Sequence, residues 1–390
     1  MKDYSATRCL TALCLAGLLA ACAHAPQKPV AAAAPPPAQP PPQEQPAAPP
    51  PAPVMQPQAP RSYVVKKGDT LWGIASMYLQ DPWHWPDIWY ANSAIKNPHL
   101  IYPGDQLMLG YINGRPSLTV VRNGKVVTEA TEAAAETTLP TEKLEPQIRY
   151  SPLNQAIPAI PLNSISQFIT GTRVVSSDEL NDAGYLLRAL DNRPVIGAGS
   201  KVYARGLKQS EGGRYNLFRL GEKYVDPDNG DTLGYEATYI GDGSVEVWGD
   251  PSKVLLTATA QEAMAGDRFL AVTAHQLNQN YMPHAPAQPV KGNIISVLGG
   301  VLEIGQYQVV VLDRGSDAGL DQGTVLGIYS RGDKVSDSYA FDGLSSSVKL
   351  PEEREGTLLV FRTFPKVSYG LVMEAKSEIH LLDVVKNPAP

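Results

Sequence analysis

Cysteine stops at residue 22. The 390-residue chain has three, Cys9, Cys14 and Cys22, so the rest can form no disulfide, thiolate metal site or cysteine nucleophile. Histidine is nearly as scarce. His24, His84, His99, His275, His284 and His380 are scattered, without the clustered ligands that a zinc peptidase needs. Ser346 and Lys349 have the Ser-x-x-Lys spacing of a penicillin-binding nucleophile, but the chain has neither the Ser-Asp-Asn nor the Lys-Thr-Gly that accompanies it. Basic charge is short as well: 33 Lys+Arg against 39 Asp+Glu leaves −6, the reverse of a nucleic-acid binder's basic stripe. The composition therefore predicts no metal, no cofactor, no nucleic-acid partner and no visible catalytic machinery. A carboxylate pair for glycoside hydrolysis stays open, because that arrangement has no fixed sequence spacing.

Long apolar runs are missing too. Residues 9–21 (CLTALCLAGLLAA) form one of thirteen, a helix of roughly 20 Å against a hydrocarbon core of about 30 Å. Preceded by Lys2 and Arg8, this reads as a secretory signal, with a transmembrane helix as the weaker alternative. Its end, Leu19-Ala20-Ala21-Cys22, resembles the lipobox of bacterial lipoproteins. The resemblance implies a signal peptide at 1–21, a diacylglycerol on Cys22 and a membrane held through lipid. Ala23 in place of aspartate implies, by the same analogy, the outer membrane facing the periplasm.

What is abundant is proline. Residues 25–60 hold fifteen of the 35, which favours extended polyproline II and denies the stretch a core. Residues 22–60 are thus expected to be a lipidated cysteine and a disordered tether, reaching on the order of 100 Å at ~3.1 Å per residue.

Residues 61–112 change character. Tyr63-Val64-Val65-Lys66 alternates as a strand, Lys67-Gly68-Asp69-Thr70 makes a turn and helix cap, and Leu71, Ile74, Ala75 and Tyr78 recur at helical spacing. A second helix starts at Pro86. Tyr102-Pro103-Gly104-Asp105 then turns into the strand Gln106-Leu107-Met108-Leu109, giving strand, helix, helix, strand. These residues, with Trp72-Gly73, Asn92 and Asn97-Pro98, resemble a LysM domain. The aromatic insert Gln80-Asp81-Pro82-Trp83-His84-Trp85-Pro86 departs from the family's helix connection.

The resemblance implies a βααβ fold that binds N-acetylglucosamine-containing glycan, and hence peptidoglycan. The expected groove lies between two loops, Gly68, Asp69, Thr70 and Leu71 in one and Asn97, Pro98, His99, Leu100, Ile101 and Tyr102 in the other. Each of Gly68, Asp69, Thr70, Pro103 and Gly104 is also what its turn or cap requires. Trp72 and Trp89 fall at helical core positions, whereas Trp83 and Trp85 are candidates for an exposed platform stacking on sugar.

Beyond lies a hairpin signal, Val120 to Val127 around Asn123-Gly124, within a hairpin and flexible connector at 113–164. Pro152, Pro158 and Pro161 lead into a mainly-β region. Strand-like runs at residues 185–190, 254–257 and 308–312 alternate with turn residues at 228–231 and 242–243. Residues 197–206 (GAGSKVYARG) align without gaps on 323–332 (GTVLGIYSRG), and Thr232-Leu233 on Thr357-Leu358. This predicts two duplicated β-barrel or sandwich modules, 165–277 and 292–390, around a proline-containing joint at 278–291. Arg205 and Arg331 occupy matching places, read as a repeated anion or partner contact or, more simply, as strand-end arginines beside a turn glycine.

The sequence thus predicts a multidomain, non-catalytic periplasmic lipoprotein that grips peptidoglycan, its β-rich region contacting a periplasmic protein. The rival readings are a peptidoglycan-modifying hydrolase with a cryptic carboxylate pair, or an assembly factor for a secretion or flagellar complex.

Overall fold

The computed structural model describes residues 53–90, 101–127, 156–191, 193, 195–272, 281–299, 303–332, 334–337 and 346–388. The expected signal peptide, Cys22 and most of the proline tether lie outside them. Among the described residues no helix is long and apolar enough to cross a membrane.

The N-terminal module begins before residue 61. Val54 and Gln56 lie along the end of helix α1 (Leu71–Tyr78), with Gln56 donating to the Tyr78 carbonyl from its backbone and to the Leu79 carbonyl from its side chain, and Gln80 N–H donating to Val54. A helix C-terminus carries carbonyls without intrahelical partners, and the last residues of the expected tether supply some. The order is then β1 (Ser62–Val64), α1, a 3-10 turn at Pro82–His84, α2 (Trp85–Tyr90), β2 (Gln106–Ile112), β3 (Arg115–Arg122) and β4 (Lys125–Val126). The four strands form one antiparallel sheet in chain order.

Two asparagine–glycine turns make that sheet. Asn123-Gly124 has φ of 52° and 73°, and Asn113-Gly114 has φ of 51° and 78°, the pair of left-handed residues that a tight hairpin needs. The boundary expected at 112 therefore cuts a hairpin, and the module continues through Val127. Pro116 disguised the second arm, since proline is a poor strand residue. Trp72, Tyr78, Trp85 and Trp89 fill the core with Leu71, Ile74, Ile88, Leu107 and Leu118, all at most 3% exposed.

After α3 (Leu162–Thr170), β5 (Thr172–Val175) and α4 (Ser177–Asp182), the chain builds two barrels. The first uses β6 (Gly184–Ala189), β7 (Lys201–Arg205), β8 (Arg214–Val225), β9 (Thr232–Val247), β10 (Ser252–Thr259) and β11 (Arg268–Ala271), with β5 added outside on β9. The second uses β12 (Lys291–Val297), β13 (Val309–Leu312), β14 (Val325–Tyr329), β17 (Arg354–Thr363), β18 (Ser368–Ala375) and β19 (Val384–Lys386), with the hairpin β15 (Lys334–Asp337) and β16 (Ser346–Lys349) inserted after β14.

The duplication is visible in the wiring. Numbering the six strands of each barrel in chain order, both close antiparallel in the circuit 1-2-5-4-3-6. Equivalent bridges join the loop after strand 1 to the residue ahead of strand 6, Ile196 to Ala263 and Ile304 to Ile379. Gly199 (φ 81°) matches Tyr307 (φ 66°), and Gly266 (φ 94°) matches Leu382 (φ 71°).

The repeat registers differently from the sequence alignment in one place. Residues 197–206 end on strand 2 of their barrel, whereas 323–332 cover strand 3. Both share a strand ending near a left-handed glycine, Gly206 (φ 77°) and Gly332 (φ 69°), and that local chemistry produced the match. Thr232-Leu233 and Thr357-Leu358 do fall on equivalent strands, the fourth of each barrel. Nor does Asp242-Gly243 form a turn. It lies inside β9, where an added Cβ would stand 2.9 Å from Val254 and 3.1 Å from Phe269 at Gly243, and 2.3 Å from the Ala258 carbonyl at Gly241. Glycine there lets β10 and the barrel interior approach.

The second barrel is apolar on both faces. Along β13, Val310 and Leu312 join the cluster with Leu326, Ile328, Leu358 and Val372, while Val309 and Val311 join another with Leu359, Phe361 and Met373. That second cluster runs on without a break through Trp72, Tyr78 and Trp85 of the N-terminal module. Asp81 and Arg354 add an ion pair of 2.8 Å between the same parts.

Candidate functional site

One turn motif shapes the N-terminal module and both barrels. An aspartate carboxylate accepts the backbone N–H three residues earlier, and the residue before it is left-handed. Asp69 accepts from Lys66 at 2.8 Å behind Gly68 (φ 96°), and Asp105 from Tyr102 at 3.0 Å behind Gly104 (φ 99°). Asp267 and Asp383 repeat this before the last strand of each barrel, accepting from Met264 at 2.7 Å and His380 at 2.6 Å. The sequence signal, Gly-Asp just ahead of a strand or helix, is present at three of the four places, and Leu382-Asp383 replaces it at the last.

The first expected glycan loop is therefore a tightly held turn. Asp69 also accepts from the Tyr63 hydroxyl at 2.9 Å, and burial, then this bond, raises the Tyr63 phenol above its ordinary value. Thr70 caps α1, its hydroxyl accepting from Gly73 N–H at 2.9 Å. The Leu71 side chain is fully buried. What this loop offers outward is backbone. The N–H groups of Leu71 and Trp72, in the first turn of the helix, donate to the carbonyls of Pro158 and Ala159 at 3.0 and 3.1 Å.

In the second loop, Asn97, Pro98, His99 and Leu100 lie outside the described residues. Ile101 is 1% exposed, and its carbonyl accepts from Ile157 N–H at 2.8 Å. Beside it, Asp105 is 3% exposed and takes both arms of Arg122, each at 2.8 Å, while that guanidinium covers the Tyr102 ring at 4.8 Å. Tyr102, Gly104, Asp105, Arg122 and Asn123 line a shallow cavity of about 380 Å³, at the lower end of small-ligand sites. Arg122 was not singled out in the sequence, because its partner lies seventeen residues away across the sheet.

The tryptophans divide otherwise than expected. Trp72 and Trp89 are in the core, as read. Trp85 is fully buried with them and presents no face to a sugar. It opens α2 directly after a turn begun by Pro82, so the insert folds inward. Trp83 is partly buried against the core, its ring 3.7 Å from that of His84.

The barrels hold two acidic groupings. Asp226, Asp228 and Asp313 bring carboxylate oxygens within 4.8 Å of one another, but Arg314 stands 3.6, 3.8 and 3.4 Å from them and supplies the positive charge. Glu355 lies against Asp383, and burial, with that neighbour's hydrogen bond and charge and with Glu353, pushes Glu355 up to about 7. As for the paired arginines, Arg205 closes β7 and forms a two-armed pair with Asp250 at 2.7 and 2.8 Å. It is thus a strand-end arginine beside the left-handed Gly206.

Comparison with known proteins agrees with the geometry of the N-terminal module. A stretch of 61 aligned residues, 13% of this chain and 28% of the relative, is 39% identical to the uncharacterized protein YqbP of Bacillus subtilis (strain 168). The chain thus spans little more than a quarter of that relative's length. The family model for the LysM domain matches residues 63–109, and with the strand–helix–helix–strand order and both turns in place, that part of the chain is a LysM domain.

Proposed function

We propose that this chain is a non-catalytic, lipid-anchored envelope protein. Its LysM domain binds the N-acetylglucosamine-containing glycan of peptidoglycan, and its two barrels present a surface to a periplasmic protein. The observation that carries the reading is the LysM domain at residues 63–109, where the Asp69-held turn leads into the Leu71 and Trp72 N–H groups and the Asp105-held turn follows the Ile101 carbonyl. An N-acetyl group offers one donor, one acceptor and a methyl, which suits such backbone groups beside small apolar side chains. The lipobox-like Leu19-Ala20-Ala21-Cys22 and the proline-rich stretch after it support anchoring and reach, in the outer membrane facing inward. A tether at millimolar effective concentration makes a weak glycan contact sufficient.

The test is co-sedimentation of the mature chain with insoluble peptidoglycan, competed by soluble N-acetylglucosamine oligomers. Competed sedimentation is expected, and sedimentation that the oligomers leave unchanged counts against the reading. A zymogram on purified wall, expected to stay opaque, separates it from the hydrolase alternative.

A further inference from the structure

We propose that residues 157–160 are a built-in competitor of the LysM glycan site, an internal strap that holds the site shut until a glycan displaces it. This rests on the reading that the two loops recognise N-acetylglucosamine units. The strap lies against the first loop and against Ile101 of the second at once. Its Pro158 and Ala159 carbonyls accept from Leu71 and Trp72 N–H, and its Ile157 N–H donates to the Ile101 carbonyl. Ile157, Ala159 and Ile160 are 4%, 2% and 1% exposed.

The chemistry it offers is that of an acetamido group. Carbonyl acceptors meet the first loop, an N–H donor meets Ile101 of the second, and the Ala159 methyl is buried. Leu71 and Trp72 each have a single N–H, now committed, and the Ile101 carbonyl already has a donor. A sugar reading these groups must first remove the strap. The packing makes this costly but reversible: three backbone hydrogen bonds and a few apolar side chains hold it, and no covalent bond or ion pair involving 157–160 is present among the described contacts.

The strap is also connected to the barrels. One residue after Ile160, Pro161 begins the turn into α3, and the far end of α3 is held by Arg362 of the second barrel, which donates to the Phe168 and Ile169 carbonyls. Displacement by glycan therefore pulls on a helix that the barrel grips, so occupancy of the wall is communicated to the part that faces a partner.

The test titrates the mature chain with a soluble β-1,4-linked N-acetylglucosamine tetramer, comparing wild type with Ala159→Glu, which places a charge in the buried methyl's position, and with Pro158→Gly, which only loosens the strap. A strap in place nine-tenths or more of the time weakens apparent affinity about ten-fold or more, so Ala159→Glu should bind about ten-fold tighter. Pro158→Gly should bind about three-fold tighter, and serves alone should Ala159→Glu not fold. Amide exchange at Ile157 gives an independent readout: protected in the free wild type, exposed on saturation with tetramer, and exposed in Ala159→Glu throughout. Equal affinities with Ile157 exposed in the variant overturn the strap and leave the glycan reading standing. Tetramer bound to wild type with Ile157 still protected overturns it likewise. Binding by neither protein, with Ile157 protected only in the wild type, sinks the glycan reading and the competition with it.

Discussion

Arg362 offers the sharpest test of how the parts are joined. A single nitrogen, Nη1, donates to the carbonyls of Phe168, Ile169 and Thr172 at 3.1, 3.0 and 2.6 Å, while the guanidinium lies 5.0 Å from the Phe364 ring centre. Burial pulls the pKa of the group below its ordinary value, and it remains a cation at neutral pH. Two N–H bonds are shared among three acceptors, so the ceiling is two charge-assisted hydrogen bonds at about 1.5–3 kcal/mol each. Arg362→Met keeps much of the stem's packing and removes both. The carbonyls at the end of α3 would recover part of the loss from water, which leaves about 3 kcal/mol. Urea unfolding followed by tryptophan fluorescence reads this well, because Trp72, Trp85 and Trp89 sit in the apolar cluster that continues into the barrel. The midpoint should fall with an unchanged slope, and Arg362→Lys should restore about half. A loss under about 1 kcal/mol in Arg362→Met would mean that the three carbonyls were never dependent on the arginine, and the clamp argument would be wrong.

Other expectations follow from the same physical rules. Asp105→Asn keeps an acceptor for Tyr102 N–H but ends the paired charge with Arg122, and should cost about 1–2 kcal/mol in denaturant unfolding; no change would show the pair to be ornamental. Trp85→Ala should cost about 3–5 kcal/mol, whereas a sugar-stacking residue would lose glycan binding at little cost in stability. Glu355 has a folded-state pKa raised to about 7 from 4.5, so its contribution to stability is complete below about pH 4.5 and disappears as pH climbs through 7. The melting temperature should accordingly drop between pH 5 and pH 8 in the wild type and drop less in Glu355→Gln; parallel profiles would refute the assignment. Cys22→Ser should leave the protein in the soluble fraction and abolish incorporation of labelled palmitate.

Much of the architecture was legible because local chemistry and global fold coincide. Thr70 had to cap a helix, Leu71, Ile74, Ala75 and Tyr78 had to face one way, and Asn123-Gly124 had to turn. The barrels announced themselves through short β-branched runs, and the run at 309–312 was continuous because both its faces are covered. What stayed hidden depends on distant partners. Nothing near Trp85 in sequence says that Pro82 turns it inward, and Arg122 finds Asp105 only once the sheet exists. The repeat was half legible: Thr-Leu at 232 and 357 marks true equivalents, but a strand before a left-handed glycine is too common a combination to fix register. The deeper correspondence, Gly199 with Tyr307 and Gly266 with Leu382, pairs unlike residues in like backbone conformations, which no residue-by-residue comparison can detect. For the site, the turns were readable. The strap was not, since Pro158 and Pro161 suggest an extended passage without saying what it lies against.

The continuity of the apolar cluster from Trp72 to Phe361 has a mechanical consequence. A wall-binding hook on a string would swivel, and the string would absorb any tug. Here, among the described residues, the hook and its shank share packed faces: tension applied at the LysM end would be borne by the Asp81–Arg354 pair, by that apolar cluster and by the Arg362 clamp. A pull on the LysM domain would then reach the barrel through side-chain packing as well as through the chain itself.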